Sequence, residues 1–219
     1  MQVNILGVKI DDVTMDEALE TVHNWLNQKG KHYIVTPNPE IIVAAQKDKA
    51  YRRILNDADL SIPDGIGLKL SGRIKNTFAG VDFMEELVKQ SIDWAATIGL
   101  LGGKDEVAEK CADCLRKKYP KLKISFVSEE PGKIPATDIL FVAFGAPKQE
   151  YWIAANLDKI PVRVVMAVGG SFDYISGAVP RAPFWIRKAG FEWLFRLITQ
   201  PWRIKRQLAL IKYMLLLMK

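Results

Sequence analysis

Two cysteines, two histidines and no long apolar run set the first limits on this 219-residue sequence. Cys111 and Cys114 cannot build a disulfide framework, so a reducing compartment is expected. They sit mid-helix by pattern with no second Cys pair, and read as residues of an amphipathic helix rather than a zinc or redox motif. His23 and His32 have no ligand-like neighbours, and no His-Glu-x-x-His occurs. Asp57-Ala58-Asp59 has the form that some transferases use to hold a metal, but it falls at a helix end and reads as solvated surface. There is no Gly-x-x-x-x-Gly-Lys-Ser/Thr and no Gly-x-Ser-x-Gly. Gly65-x-Gly67 is followed by Gly72 at the wrong spacing for a dinucleotide fingerprint. No bound metal and no cofactor are therefore expected. The longest apolar run, from Leu208 to Met218, is broken by Lys212 and is too short to cross a bilayer. Met1-Gln2-Val3-Asn4 has no basic, then apolar, signal pattern, so no signal peptide is expected.

What is present is an ordinary globular composition, 49% hydrophobic and 26% charged. The net charge of +6 is unevenly spread. From Arg181 onward there are nine Lys/Arg against one acid, Glu192, which leaves the first 180 residues slightly acidic. The basic end also carries Trp185, Trp193 and Trp202, half of the tryptophans. Trp, Leu and Lys/Arg at helical spacing suit a helix lying on an anionic membrane surface. The plainer alternative is a helix pair packed on the body or on another subunit, and the two can coexist. The expected organisation is an α/β domain over 1–180 and a basic, Trp-rich helical appendage over 181–219.

The body alternates strands and helices. Residues 3–10 read as short strands split at Gly7, and Thr14-Met15-Asp16-Glu17 is a capping box that opens an amphipathic helix. His32 to Thr36 reads as a strand running into Pro37-Asn38-Pro39-Glu40. One helix is expected from there through Ile54 and Leu55. A buried strand ends in Pro63-Asp64-Gly65-Ile66-Gly67, and a short helix follows to Gly72. Asp82 is the expected cap of the next helix. Further strands end in Gly102-Gly103, in Phe144-Gly145 and in Gly169-Gly170. This predicts a Rossmann-like, largely parallel sheet with helices on both faces.

Ligands bind such sheets at the carboxyl ends of the strands. Thr36, Asn38, Asp64, Gln149 and Asp173 all fall there. Gly65 clears the approach to Asp64, while Gly102 and Gly103 could present backbone N–H groups to an anion. Asp64 could equally be the N-cap of the helix beginning near Gly65, and Asn38 the N-cap of its own helix. The set holds hydrogen-bonding groups and a carboxylate but no obvious nucleophile. It suits a hydroxyl-rich substrate from which one proton is removed, with arginines for a diphosphate. A nucleic-acid-binding protein is disfavoured by the neutral body and the apolar last helix. A nicotinamide-dependent oxidoreductase is disfavoured by the missing glycine fingerprint. A non-catalytic membrane scaffold would tolerate loss of Asp64.

Several blocks occur in one order: Thr36-Pro37-Asn38-Pro39-Glu40, Pro63-Asp64-Gly65-Ile66-Gly67, Leu100-Leu101-Gly102-Gly103, Gly145-Ala146-Pro147-Lys148-Gln149-Glu150, Gly169-Gly170-Ser171-Phe172-Asp173, Arg181-Ala182-Pro183, and Glu192 to Leu197 followed by Pro201-Trp202-Arg203. Together they resemble the WecG/TagA/CpsF family of bacterial glycosyltransferases, family 26, over nearly the whole chain. The resemblance implies an inverting, metal-independent transferase, peripheral on the cytoplasmic face of the bacterial cell membrane. It would move a sugar from a UDP-sugar to a polyprenyl-diphosphate-linked sugar. The leading expectation is N-acetylmannosamine transfer to lipid-linked N-acetylglucosamine for wall teichoic acid. Transfer of N-acetylmannosaminuronic acid or a hexose for another surface polymer is the alternative.

By the same resemblance Asp64 is the general base, Thr36 and Asn38 hold donor or acceptor, and Gln149 shares their pocket. Gly65, Gly102, Gly103, Gly145, Asp173 and Arg181 are expected to contact substrate. Arg196, Arg203 and Arg206 are expected to neutralise the departing UDP. Partners would be the two substrates and the membrane, with no nucleic acid, and an exposed apolar tail could drive homo-oligomers off the membrane. One departure concerns Ser128 to Thr137, which is shorter than in most members and bears on which donor is recognised.

Overall fold

Runs of β-branched and aromatic residues with no charge alternation must be buried on both sides, which parallel sheets allow. In this chain they form one six-stranded parallel sheet in a computed structural model that describes residues 1–188, 192–199 and 204–218. Its strands are β3 (His32–Val35), β4 (Leu60–Ser61), β5 (Thr97–Gly102), β6 (Lys123–Ser128), β7 (Thr137–Ala143) and β8 (Val162–Ala167). They lie in the order β4-β3-β8-β7-β5-β6. A separate antiparallel hairpin joins β1 (Gln2–Ile5) to β2 (Val8–Asp11).

Period-two alternation sorts the sheet residues into two cores. Ile139, Phe141, Val164 and Met166 face one side, under helices α1 (Met15–Leu26), α4 (Gly80–Asp93), α5 (Val107–Lys118) and α7 (Ser171–Ile175). Leu140, Val142, Val165 and Ala167 face the other, under the hairpin, α2 (Pro39–Lys47), α3 (Lys49–Asn56) and α6 (Lys148–Asn156). Phe141 is fully buried, which stabilises the fold by about 1.5–3 kcal/mol. The expected α/β architecture with helices on both faces is the observed one.

Local expectations fared unevenly. The capping box at Thr14 forms as read, with Glu17 N–H donating to Thr14 Oγ1 and Thr14 N–H donating to Glu17. The single helix expected over 39–55 is two. Asp48 takes an extended conformation that ends α2, and its carboxylate caps α3 by accepting from Tyr51 N–H. Asp82 does not cap α4, because the N-cap position is Ala79 and carries no side-chain bond. Instead Asp82 sits in the first turn and pairs with Arg181 at 2.6 Å and Arg187 at 3.5 Å.

Beyond the sheet lie α8 (Phe184–Lys188), α9 (Glu192–Thr199) and α10 (Ile204–Leu217). Tyr213 is wholly buried in the second core, with Leu210, Leu216 and Leu217 packed around it. The other side of α10 exposes Ile204, Leu208, Ile211, Leu215 and Met218, spaced three or four apart. Among the described residues no helix is long and apolar enough to cross a membrane.

Candidate active site

The sheet's first strand in sequence, β3, lies beside its last, β8, with β4 on one side of this pair and β7, β5 and β6 on the other. A crevice is expected above such a switch point. An open cleft is found there. Three backbone segments build one wall. Ile62 N–H donates to Val35 O, Asp64 N–H to Pro37 O at 3.0 Å, and Phe78 N–H to Pro63 O. These bonds carry the sheet pairing past the strand ends and bring Thr36, Asn38 and Asp64 onto one surface.

Each side chain is then set individually. Asp64 Oδ1 accepts the N–H of Gly80 at 3.2 Å, at the start of α4. Negative charge is stabilised near a helix N-terminus. The helical turn after Gly65, a 3₁₀ turn over Ile66–Ser71, receives no side-chain cap. Asp64 therefore caps a helix sixteen positions further on, not its own. Asn38 does cap α2, with Oδ1 accepting from Ile41 N–H at 3.0 Å, and it also lines the cleft. Thr36 is 9% exposed and packs on Gly80, where an added Cβ would lie 3.3 Å from Thr36 Cγ2.

The facing wall comes from β7 and β8. Gly145 leads into α6 through a cis Ala146–Pro147 bond. Gln149, 2% exposed, bridges the two strand ends. Its Oε1 accepts from Gly169 N–H at 2.9 Å and its Nε2 donates to Glu150 Oε1 at 2.8 Å. Glu150 is 1% exposed, and burial pushes its carboxyl pKa up. Tyr51 also lines the cleft, and its phenol is raised by burial first and then by Glu150.

A family model described as "Glycosyl transferase WecG/TagA/CpsF family" matches residues 3–219. The chain belongs to this glycosyltransferase family. It is 36% identical over 211 residues to a Bacillus subtilis (strain 168) protein named N-acetylglucosaminyldiphosphoundecaprenol N-acetyl-beta-D-mannosaminyltransferase, covering 90% of this chain and 82% of that one. A Staphylococcus aureus (strain NCTC 8325 / PS 47) protein of the same name is 34% identical over 222 residues, covering 94% and 87%.

For this WecG/TagA/CpsF transferase, the cleft gathers Thr36, Asn38, Asp64, Gly145 and Gln149. Gly65 lies beside it with φ +86, a conformation glycine supplies at no steric cost. Asp173 lies in the first turn of α7 and does not line the cleft, although its Oδ2 is next to Gly170, which does. Gly102 and Gly103 do not line the cleft. A Cβ on Gly102 would come within 2.8 Å of the Ala143 backbone, so its glycine is explained by close approach to β7. The N-terminus of α5 already carries a carboxylate, since Glu106 N–H donates to Glu129 in the short 128–137 loop. Arg181 is held by Asp82 and Glu192 rather than by the cleft. Arg203 lies outside the described residues, and so do the side chains of Arg196 and Arg206. Tyr51, Glu40, Gly80 and Tyr174 line the cleft unforeseen. Tyr51 gave no local signal, because α3 brings it there from a helix that was read as continuous with α2.

Proposed function

We propose that this chain transfers N-acetylmannosamine from its UDP-sugar to undecaprenyl-diphosphate-linked N-acetylglucosamine. The observation that carries this reading is the cleft, which presents Asp64 beside Thr36, Asn38 and Gln149 in a chain whose curated relatives carry that transferase name. Asp64 acts as general base. It takes the proton of the acceptor hydroxyl as that oxygen attacks the anomeric carbon from the face opposite UDP. The new C–O bond forms as the bond to the diphosphate oxygen breaks, and configuration inverts. The cap geometry suits the role, since the Gly80 N–H holds Asp64 Oδ1 at the start of α4 and fixes the carboxylate on the cleft surface. Asn38 spends its carbonyl oxygen on α2 and keeps its amide N–H groups for sugar oxygens. Thr36 and Gln149 complete the polar lining. Arg196, Arg203 and Arg206 supply the positive charge that stabilises the diphosphate as it gains charge in the transition state.

The tail, 181–219, serves as the membrane appendage of the 1–180 domain, on the cytoplasmic face. Support comes from the exposed stripe on α10 and from Phe184 and Trp185, which are 69% and 71% exposed. Ile66 and Leu70 on the 3₁₀ turn are exposed, as are the neighbouring Lys69 and Arg73, and add apolar and basic surface. Lys47 and Lys212 stand close enough that Lys47 lowers the Lys212 pKa, a pairing an anionic surface relieves. The test is product formation from UDP-N-acetylmannosamine and a lipid-diphosphate N-acetylglucosamine acceptor, beside UDP-N-acetylmannosaminuronic acid and UDP-glucose. Preference for the first donor is expected. Preference for another would move the chain to a different branch of the family.

A further inference from the structure

Glu150 is a buried ionisable group that the proposed chemistry leaves without a task. It is 1% exposed. The Tyr51 hydroxyl, on a residue that is also 1% exposed, faces this carboxyl as a hydrogen-bonding group, and each acts on the other's ionisation. Among the described residues no Lys, Arg or His forms an ion pair with the carboxyl. Burying a carboxyl without a cation destabilises a fold, and an apolar residue of similar volume would pack at lower cost. A carboxyl kept there is a candidate for function. Its Oε1 accepts from Gln149 Nε2 at 2.8 Å, and the same amide accepts from Gly169 N–H through Oε1.

We infer that Glu150 is a positioning residue. Through Gln149 it sets which way the amide faces, and it ties the turn after β7 to the Gly169-Gly170 turn after β8. The bond from Glu150 fixes the amide's NH₂ end on the α6 side and its oxygen on the Gly169 side. A swap of those ends would turn the NH₂ group toward Gly169 N–H, two donors facing each other. Gly169, Gly170 and Gln149 all line the cleft, so this tie sets the shape of the wall that faces Asp64. Glu150 itself does not line the cleft.

Hydrogen exchange at the Gly169 amide reads the tie directly, and its kinetic counterpart rests on the transfer reading above. In Glu150→Met the Gln149 amide loses its anchor, and Gly169 exchange is expected to speed up about tenfold, the worth of one ordinary hydrogen bond. Transfer should lose roughly tenfold in kcat with a smaller change in KM. Glu150→Gln keeps an acceptor for Gln149 and should restore both. A circular-dichroism melt guards against misfolding, and Glu150→Asp, which retracts the oxygen by one methylene, replaces Glu150→Met if that variant does not fold. Unchanged Gly169 exchange in the folded variant would overturn the inference. So would faster exchange with unchanged kcat, since the tie would then exist without positioning anything. Wild-type inactivity on the proposed donor would count against the transfer reading alone, because Gly169 exchange would still decide the tie.

Discussion

At the scale of single residues, two positions separate structure from chemistry. Asn38 has two duties, capping α2 through its oxygen and facing the cleft. Asn38→Ala should lose about 1 kcal/mol of stability, the usual worth of an N-cap, and should lose transfer as well. Asn38→Asp should recover the stability and not the transfer, because it caps equally well but offers no amide N–H. Thermal melts set beside initial rates check this. Gly80 is the second position. Its missing side chain lets Thr36 pack against the start of α4, with Thr36 Cγ2 3.3 Å from where a Cβ would stand. Gly80→Ala should fold and yet shift Thr36 by a few tenths of an ångström, with roughly tenfold loss in kcat/KM. Neither partnership follows from spacing alone. Thr36 was legible as a strand-end residue, but its contact with Gly80 exists only once α4 has docked.

At the scale of elements, the buried carboxyl on α6 makes stability depend on pH. Burial raises the folded-state pKa of Glu150, while in the unfolded chain it titrates near the ordinary value of about 4.3. A raised folded pKa contributes stability that is fully present below the unfolded pKa and is lost as pH rises through the folded one. Glu150→Gln removes that loss. Denaturation midpoints of wild type and variant should therefore diverge from about pH 4 upward, with the variant the more stable at neutral pH. On α10, Tyr213→Ala should cost about 3 kcal/mol, as for other large buried aromatics. Leu208→Glu with Leu215→Glu should leave the melt unchanged and weaken sedimentation with anionic liposomes. Equal sedimentation would remove the α10 stripe from membrane binding. Elements built from local signals were readable beforehand: the capping box at Thr14, Pro39 in the first turn of α2, and the apolar strands β5, β7 and β8. Asp48 was missed because its extended backbone interrupts a helical pattern that continues in phase on either side. Asp82 looked like a cap, but the end of α4 is served by Asp64 from another part of the chain.

At the scale of the whole molecule, the sheet order explains why residues as far apart as Thr36 and Gly169 share one cleft. The sheet's first and last strands in sequence, β3 and β8, are neighbours, and their carboxyl ends lie side by side. Alternating strands and helices made a parallel sheet readable from sequence. Which strand ends become neighbours is a property of topology, and so Gly102 and Gly103, equally glycine-rich and equally placed after a strand, lie away from the cleft. The same chain sets a nearly neutral body against a basic, apolar tail, and in the proposed reading that tail is what brings the enzyme to its lipid-linked acceptor. The most direct measurement is acceptor-dependent UDP release from UDP-N-acetylmannosamine by wild type and by Asp64→Asn, on acceptor-bearing vesicles. A general base of this kind is worth about 10²–10⁴-fold in rate. The account predicts release by wild type only when acceptor is present, reduced by that factor in the variant while nucleotide binding is retained. Equal release by both proteins would contradict the role of Asp64 on which the reading of the cleft is built.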